Sequence, residues 1–159
     1  MKKLQLYLET TVWNFQFADD APEFRDVTKK FFGEVDKGRY DIFISEVVIR
    51  EIGKADDEKM KTLMALIDRY KPVVLESNED IRELSLNYIT KAAIPANKAD
   101  DALHAAVATF YQMDALVSWN LKHLASFTRM EKINAVNLDQ GYGKRLELIT
   151  PMEVSDAAF

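Results

Sequence analysis

Lys3-Leu4-Gln5-Leu6-Tyr7-Leu8-Glu9-Thr10-Thr11 is the stretch, residues 3–11, on which the fold turns. Leucines at 4, 6 and 8 alternate with Lys3, Gln5 and Tyr7, the period-2 signature of a β-strand over residues 3–8. The pattern ends abruptly at an acid and two hydroxyls. Beyond a short apolar piece (Val12, Trp13, Phe15, Phe17), Pro22 stands where a first helical turn tolerates proline. Phe24, Val27, Phe31 and Val35 then recur at helical spacing up to Gly38. Asp41-Ile42-Phe43-Ile44 is a second β-prone run, and Ser45 follows as a helix N-cap, with Val48, Ile49 and Ile52 at helical spacing and Glu51 on the second turn.

The alternation continues. Met60, Leu63, Met64 and Ile67 predict an amphipathic helix stopped before Pro72, and Val73 to Leu75 a third strand. Ser77, with Asp80 three residues on, resembles the capped start of a helix whose Ile81, Leu84, Tyr88 and Ile89 share a face. After Pro95, a helix over 99–112 carries Leu103, Ala106, Val107 and Phe110, and Ala115-Leu116-Val117-Ser118 reads as a buried strand ending at Trp119-Asn120. Leu146-Glu147-Leu148-Ile149 is a fifth strand, with Thr150-Pro151 starting a terminal helical turn. Such a succession predicts an α/β fold of three layers, a central parallel sheet of about five strands flanked by helices, in one domain spanning 1–159. In open sheets of this type the binding crevice lies beyond the carboxyl ends of the strands, where the strand order reverses.

Composition narrows the function. At 159 residues, 48% hydrophobic and 30% charged, the chain can bury roughly two-thirds of the surface it exposes when unfolded. Cysteine is absent, which removes disulfides, thiolate metal sites and thiol nucleophiles and suits a reducing cytoplasm. Two histidines alone do not make a zinc site. No apolar run approaches the roughly 18 residues of a membrane span, and residues 1–11 lack the unbroken apolar core of a signal peptide. A net charge of −5 opposes general affinity for nucleic acid, so any such contact must be local. No glycine-rich phosphate loop is present.

The polar residues at the strand ends are mainly acids. Glu9 follows the first strand, Glu51 lies on the helix after the second, Asp100 and Asp101 begin the helix before the fourth, and Asn120 follows the fourth. Each acid taken singly has a structural explanation, such as charge complementing a helix N-terminus. Gathered at one sheet edge they would repel one another unless a cation intervened, and hard oxygen ligands favour magnesium or manganese. Such a centre suits metal-assisted phosphoryl chemistry with water as the nucleophile.

Four blocks, Leu6–Trp13 (LYLETTVW), Ser45–Ile52 (SEVVIREI), Asp100–Ala108 (DDALHAAVA) and Leu116–Leu124 (LVSWNLKHL), resemble in order and spacing the motifs of PIN-domain proteins, particularly the VapC-like toxin nucleases. The resemblance implies a Rossmann-like fold and divalent-metal-dependent endoribonuclease activity on RNA, often with an antitoxin encoded beside the toxin. It assigns Glu9, Glu51 and Asp101 to the three acidic positions, with Thr10 or Thr11, Ser118 and Asn120 as polar positions that orient a ligand or water. Two departures stand out. Glu9 replaces the usual Asp and is longer by one methylene, and Asn120 replaces a common Asp and drops a charge that Asp100 could restore. One bound Mg2+ or Mn2+ is therefore expected rather than two. The rival reading is a catalytically weakened PIN-like module that binds RNA or a protein.

His104 shares the helix face of Asp101 and is expected as a partly buried histidine with a phosphate contact as its functional alternative. Lys122 and His123 follow Asn120 as a cationic pair suited to a nucleic-acid backbone, or as a solvated loop. Val12, Trp13, Phe15 and Phe17 are too apolar for a free loop and are expected in the core, with a homodimer contact next.

Overall fold

The computed structural model describes residues 2–120, 122 and 124–156. Five strands, β1 (Leu4–Leu8), β2 (Tyr40–Ser45), β3 (Val73–Leu75), β4 (Ala115–Val117) and β5 (Glu147–Ile149), form one parallel sheet in the order β3-β2-β1-β4-β5. Eight helices flank it among the described residues: α1 (Thr10–Asn14), α2 (Pro22–Asp36), α3 (Glu46–Ile52), α4 (Asp57–Tyr70), α5 (Glu79–Thr90), α6 (Ala99–Phe110), α7 (Phe127–Asp139) and α8 (Pro151–Asp156). A single 3-10 turn, Phe15–Phe17, joins α1 to the segment before α2.

The chain winds outward from β1 through β2 to β3, then crosses back to add β4 and β5 on the other side of β1. The reversal falls between β1 and β4, which pair with Leu8 opposite Val117. The backbone N–H of Glu9 then donates to the Val117 carbonyl at 3.0 Å, so Glu9 and Ser118 emerge together at the carboxyl edge.

Both sheet faces are covered, which changes the reading of β1. Tyr7, on the more polar side of the alternation, is as fully buried as Leu6 and Leu8. Parallel strands carry helices on both faces and need no solvated side. Among the expected core residues after β1, Val12 and Trp13 are fully buried, whereas Phe17 is 47% exposed. The segment is helical, since Glu9 caps α1 by accepting from the Thr11 N–H. α6 is buried along most of its length, its Ala102, Ala105, Ala106 and Ala108 allowing close approach.

Two features depart from expectation. The cap of α5 is Asn78, whose Oδ1 accepts from the Ile81 N–H at 2.9 Å, while the Ser77 N–H is engaged by Glu46. The asparagine oxygen sits one residue nearer the helix and reaches the N–H of its third residue. The apolar stripe of α7, Met130, Ile133 and Val136, is interrupted by two inward asparagines. Asn134 exchanges two 2.8 Å bonds with the Leu146 backbone beside β5, and Asn137 accepts from Tyr88 and donates to Thr109. These amides substitute for apolar packing by satisfying buried polar groups across elements.

Candidate active site

Glu9 leaves β1 as the N-cap of α1 and is 3% exposed. Its Oε1 accepts three hydrogen bonds, from the Thr11 N–H (3.0 Å), Thr11 Oγ1 (2.5 Å) and Ser118 Oγ (2.9 Å). Thr11 Oγ1 in turn accepts from the Trp119 N–H at 2.8 Å, and Ser118 Oγ accepts from the Asn120 N–H at 2.9 Å. The ends of β1 and β4 are thereby laced together around one carboxylate oxygen. Among the described residues no donor reaches Glu9 Oε2.

Glu51, on α3, repeats the arrangement: its Oε1 accepts from Thr10 Oγ1 at 2.7 Å and from His104 Nε2 at 2.5 Å. Its side chain is 25% exposed. Asp101, in the first turn of α6, accepts from Asn120 Nδ2 through Oδ2 at 3.3 Å. All three acids line a cleft of about 450 Å³, with Thr11, Asn97, Lys98, Asp100 and Asn120. Asp100 is engaged differently from its neighbour, by ion pairs with Arg50 and Lys54. That compensates its charge with protein cations.

Burial pushes the Glu9 carboxyl above its ordinary pKa, against the opposing charge of His104 and the bonds from Thr11 and Ser118. Burial likewise raises Asp101, moderated by His104. Burial also acts to raise Glu51, but the bond and charge of His104 and the bond from Thr10 outweigh it and hold this carboxyl low. For His104 burial acts downward, yet its bond to Glu51 and the charges of Glu9, Glu51 and Asp101 hold the imidazole above its usual value. The cluster thus resists carrying several negative charges without a compensating cation.

Donor chemistry fits a divalent ion. Glu9 Oε2, Glu51 Oε2 and Asp101 Oδ1 accept no hydrogen bond from the described residues and offer hard oxygen. One donor atom each from Glu9, Glu51 and His104 lie within 4.8 Å of one another, compared with about 4.2 Å across an octahedral magnesium site.

Over 70–83% of its length the chain is similar to solved VapC and VapBC structures. VapBC2 of Rickettsia felis, bound to a promoter DNA fragment, superposes with a TM-score of 0.56 at 19% identity over 75% of this chain and 90% of that one. VapBC-1 of nontypeable Haemophilus influenzae gives 0.55 at 17%, covering 83% and 94%. VapC20 of Mycobacterium tuberculosis, a toxin that cleaves the sarcin-ricin loop, gives 0.52 at 12%, covering 70% and 86%. The fold is the PIN fold of the VapC toxins. No family model matches the sequence, and no curated protein matches it.

On this PIN fold the structure brings Glu9, Glu51, Asp101, Asn120 and Thr11 to one cleft. Thr10 and Ser118 stand behind it as donors to the carboxylates. Asp100 lines the same cleft but is held by cations. His104 is fully buried, not partly. Lys122 is exposed in a turn, and His123 lies outside the described residues. Tyr7 was not legible as a site residue: its hydroxyl bonds His104 Nδ1 at 2.6 Å and Ser45 Oγ at 2.7 Å. The available signal was a tyrosine on a strand too buried to send its hydroxyl to water. Arg50, Lys54 and Lys98 were likewise indistinguishable from ordinary surface charge.

Proposed function

We propose that this protein is a divalent-metal-dependent endoribonuclease of the PIN/VapC type, the toxin of a toxin-antitoxin pair, acting in the cytoplasm as a homodimer. The observation that carries the reading is the convergence of Glu9, Glu51 and Asp101 on one cleft, each with one oxygen held by a hydrogen bond and one that accepts from none of the described residues. Likeness to two VapBC structures supports an antitoxin partner, and likeness to VapC20, a toxin that cleaves the sarcin-ricin loop, supports an RNA substrate. Lack of cysteine accords with a reducing compartment. No helix among the described residues is long and apolar enough to cross a membrane.

Glu9, Glu51 and Asp101 would hold Mg2+ or Mn2+, with Asn120 bound to Asp101. Such an ion supplies charge neutralisation, orientation of a phosphodiester and a lowered pKa for the attacking water. Thr11 and Ser118 aim Glu9; Thr10 aims Glu51. Lys98 places a cation near Asp101, where it offsets negative charge beside a phosphate. Asn120 in place of an acid, and an Asp100 neutralised by Arg50 and Lys54, favour one ion over two.

Calorimetric titration with Mn2+ and Mg2+, beside Asp101→Asn and Glu51→Gln, tests the reading when followed by incubation with mixed RNA. Wild type is expected to bind metal and cut RNA, and each variant to stay folded but lose metal-dependent cleavage. No binding at millimolar metal would replace the nuclease with a PIN-fold module that binds RNA or a protein.

A further inference from the structure

Beneath the cleft runs a chain of side chains that the three acids do not include. Ser45 Oγ lies 2.7 Å from Tyr7 Oη, Tyr7 Oη 2.6 Å from His104 Nδ1, and His104 Nε2 2.5 Å from Glu51 Oε1. Ser45, Tyr7 and His104 are each 0% exposed, and they come from β2, β1 and α6 to meet a carboxylate on α3. Polar groups placed so deep among Leu, Ile and Ala are costly unless every bond is made.

The bonds have a direction. An ionised carboxylate has no proton to give, so Nε2 donates to Glu51. Ser45 Oγ already accepts from the Val47 N–H at 3.2 Å, and its own hydrogen goes to Tyr7. With the imidazole neutral, Tyr7 then donates to Nδ1. Among the described residues only this order gives both hydroxyl hydrogens an acceptor. Glu51 Oε1 thus takes two donors, His104 and Thr10, while none of the described residues donates to Oε2.

We infer that Ser45, Tyr7 and His104 form a positioning relay that anchors Glu51 Oε1 and presents Oε2 to the cation, His104 serving as a donor to the carboxylate and not as a ligand. The inference rests on the metal-dependent reading above. Its rival is direct ligation, since a ring nitrogen of His104 lies within 4.8 Å of donor atoms on Glu9 and Glu51. Ligation through Nε2 would require that nitrogen to surrender both its proton and its bond to Glu51.

The test combines Mn2+ calorimetry on wild type, Tyr7→Phe and His104→Gln with nitrogen NMR of the imidazoles, free and saturated with diamagnetic Mg2+. The chain has only two histidines, so a His123→Asn variant assigns the His104 signals. Tyr7→Phe is expected to weaken Mn2+ binding by about ten- to a hundredfold, the usual effect of losing a group that orients a ligand. His104→Gln, whose amide can still donate to Glu51, is expected to lose less, and Nε2 of the wild type is expected to stay protonated when Mg2+ binds. A merely structural role would lower the melting temperature without moving the affinity. Unchanged affinity in Tyr7→Phe, or loss of the Nε2 proton on Mg2+ binding, overturns the relay. Wild type that binds no metal at all overturns the metal-dependent reading itself, and the relay with it.

Discussion

Replacing Thr11 by Val tests whether the hydroxyl that joins the ends of β1 and β4 holds Glu9 in place. The two side chains are nearly isosteric and both β-branched, so neither cavity nor helix propensity changes much. Two short bonds disappear, Thr11 Oγ1 to Glu9 Oε1 at 2.5 Å and the Trp119 N–H to Thr11 Oγ1 at 2.8 Å, together with a long one of 3.5 Å to Ser118 Oγ. A hydrogen bond to a charged group contributes about 1.5–3 kcal/mol, and a buried N–H left without an acceptor costs about 1–3 kcal/mol. Thr11 is only partly buried, so water recovers some of this, and a net loss of roughly 2–4 kcal/mol is expected. At about 2–4 °C per kcal/mol for a chain of this size, the melting temperature should fall by roughly 5–15 °C. Thermal melts of the metal-free protein measure the first effect. Mn2+ calorimetry measures the second, a weaker affinity because Glu9 keeps, among the described residues, the Thr11 N–H and Ser118 as donors. Thr11→Ser, which retains the hydroxyl, should recover most of both. A Thr11→Val protein that melts within about 2 °C of wild type and binds Mn2+ equally well would refute the role given to this hydroxyl.

Asp100→Asn should change Mn2+ affinity by no more than about threefold, the scale of an exposed ion pair, because Arg50 and Lys54 already hold that carboxylate. A loss as large as that of Asp101→Asn would make Asp100 a ligand. Glu9 and Asp101 are raised by burial, so their contribution to stability is present below their unfolded pKa values and is lost as pH rises through the folded ones. Mn2+ at about a hundred times its dissociation constant should then add about 2.7 kcal/mol at neutral pH, seen as a higher melting temperature, and less in acid; an unmoved melt at pH 7 contradicts a metal centre here. Asp114 lies away from the carboxyl edge, where burial raises its pKa but the Gln5 N–H (2.8 Å) and Lys144 (2.8 Å) bonds prevail and hold it low. Its contribution exists above the unfolded value and vanishes as pH falls through the folded one, so Asp114→Asn should flatten the acid loss of stability below about pH 4 in denaturant melts. A slope identical to wild type would place that sensitivity elsewhere.

Which parts were legible from residues alone follows from the range of the forces involved. Leu4, Leu6 and Leu8, the Val48-Ile49-Ile52 spacing and Pro22 act through their own backbone, and these local patterns suffice for the five strands, most helices and their parallel pairing, while the order of the strands came only with the tertiary structure. Strand-end position likewise marks Glu9, Glu51, Asp101 and Asn120 as candidates, because carboxyl edges of parallel strands converge. α7 was not legible, since Asn134 and Asn137 face inward only because the Leu146 backbone, Tyr88 and Thr109 await them. Asp100 and Asp101 are equivalent in sequence. Tertiary packing separates them by setting Arg50 and Lys54 against one and Asn120 against the other. The bond between Tyr7 and His104 spans 97 residues and exists only because helices bury both faces of the sheet, leaving two polar groups with no solvent and only each other and their neighbours as partners.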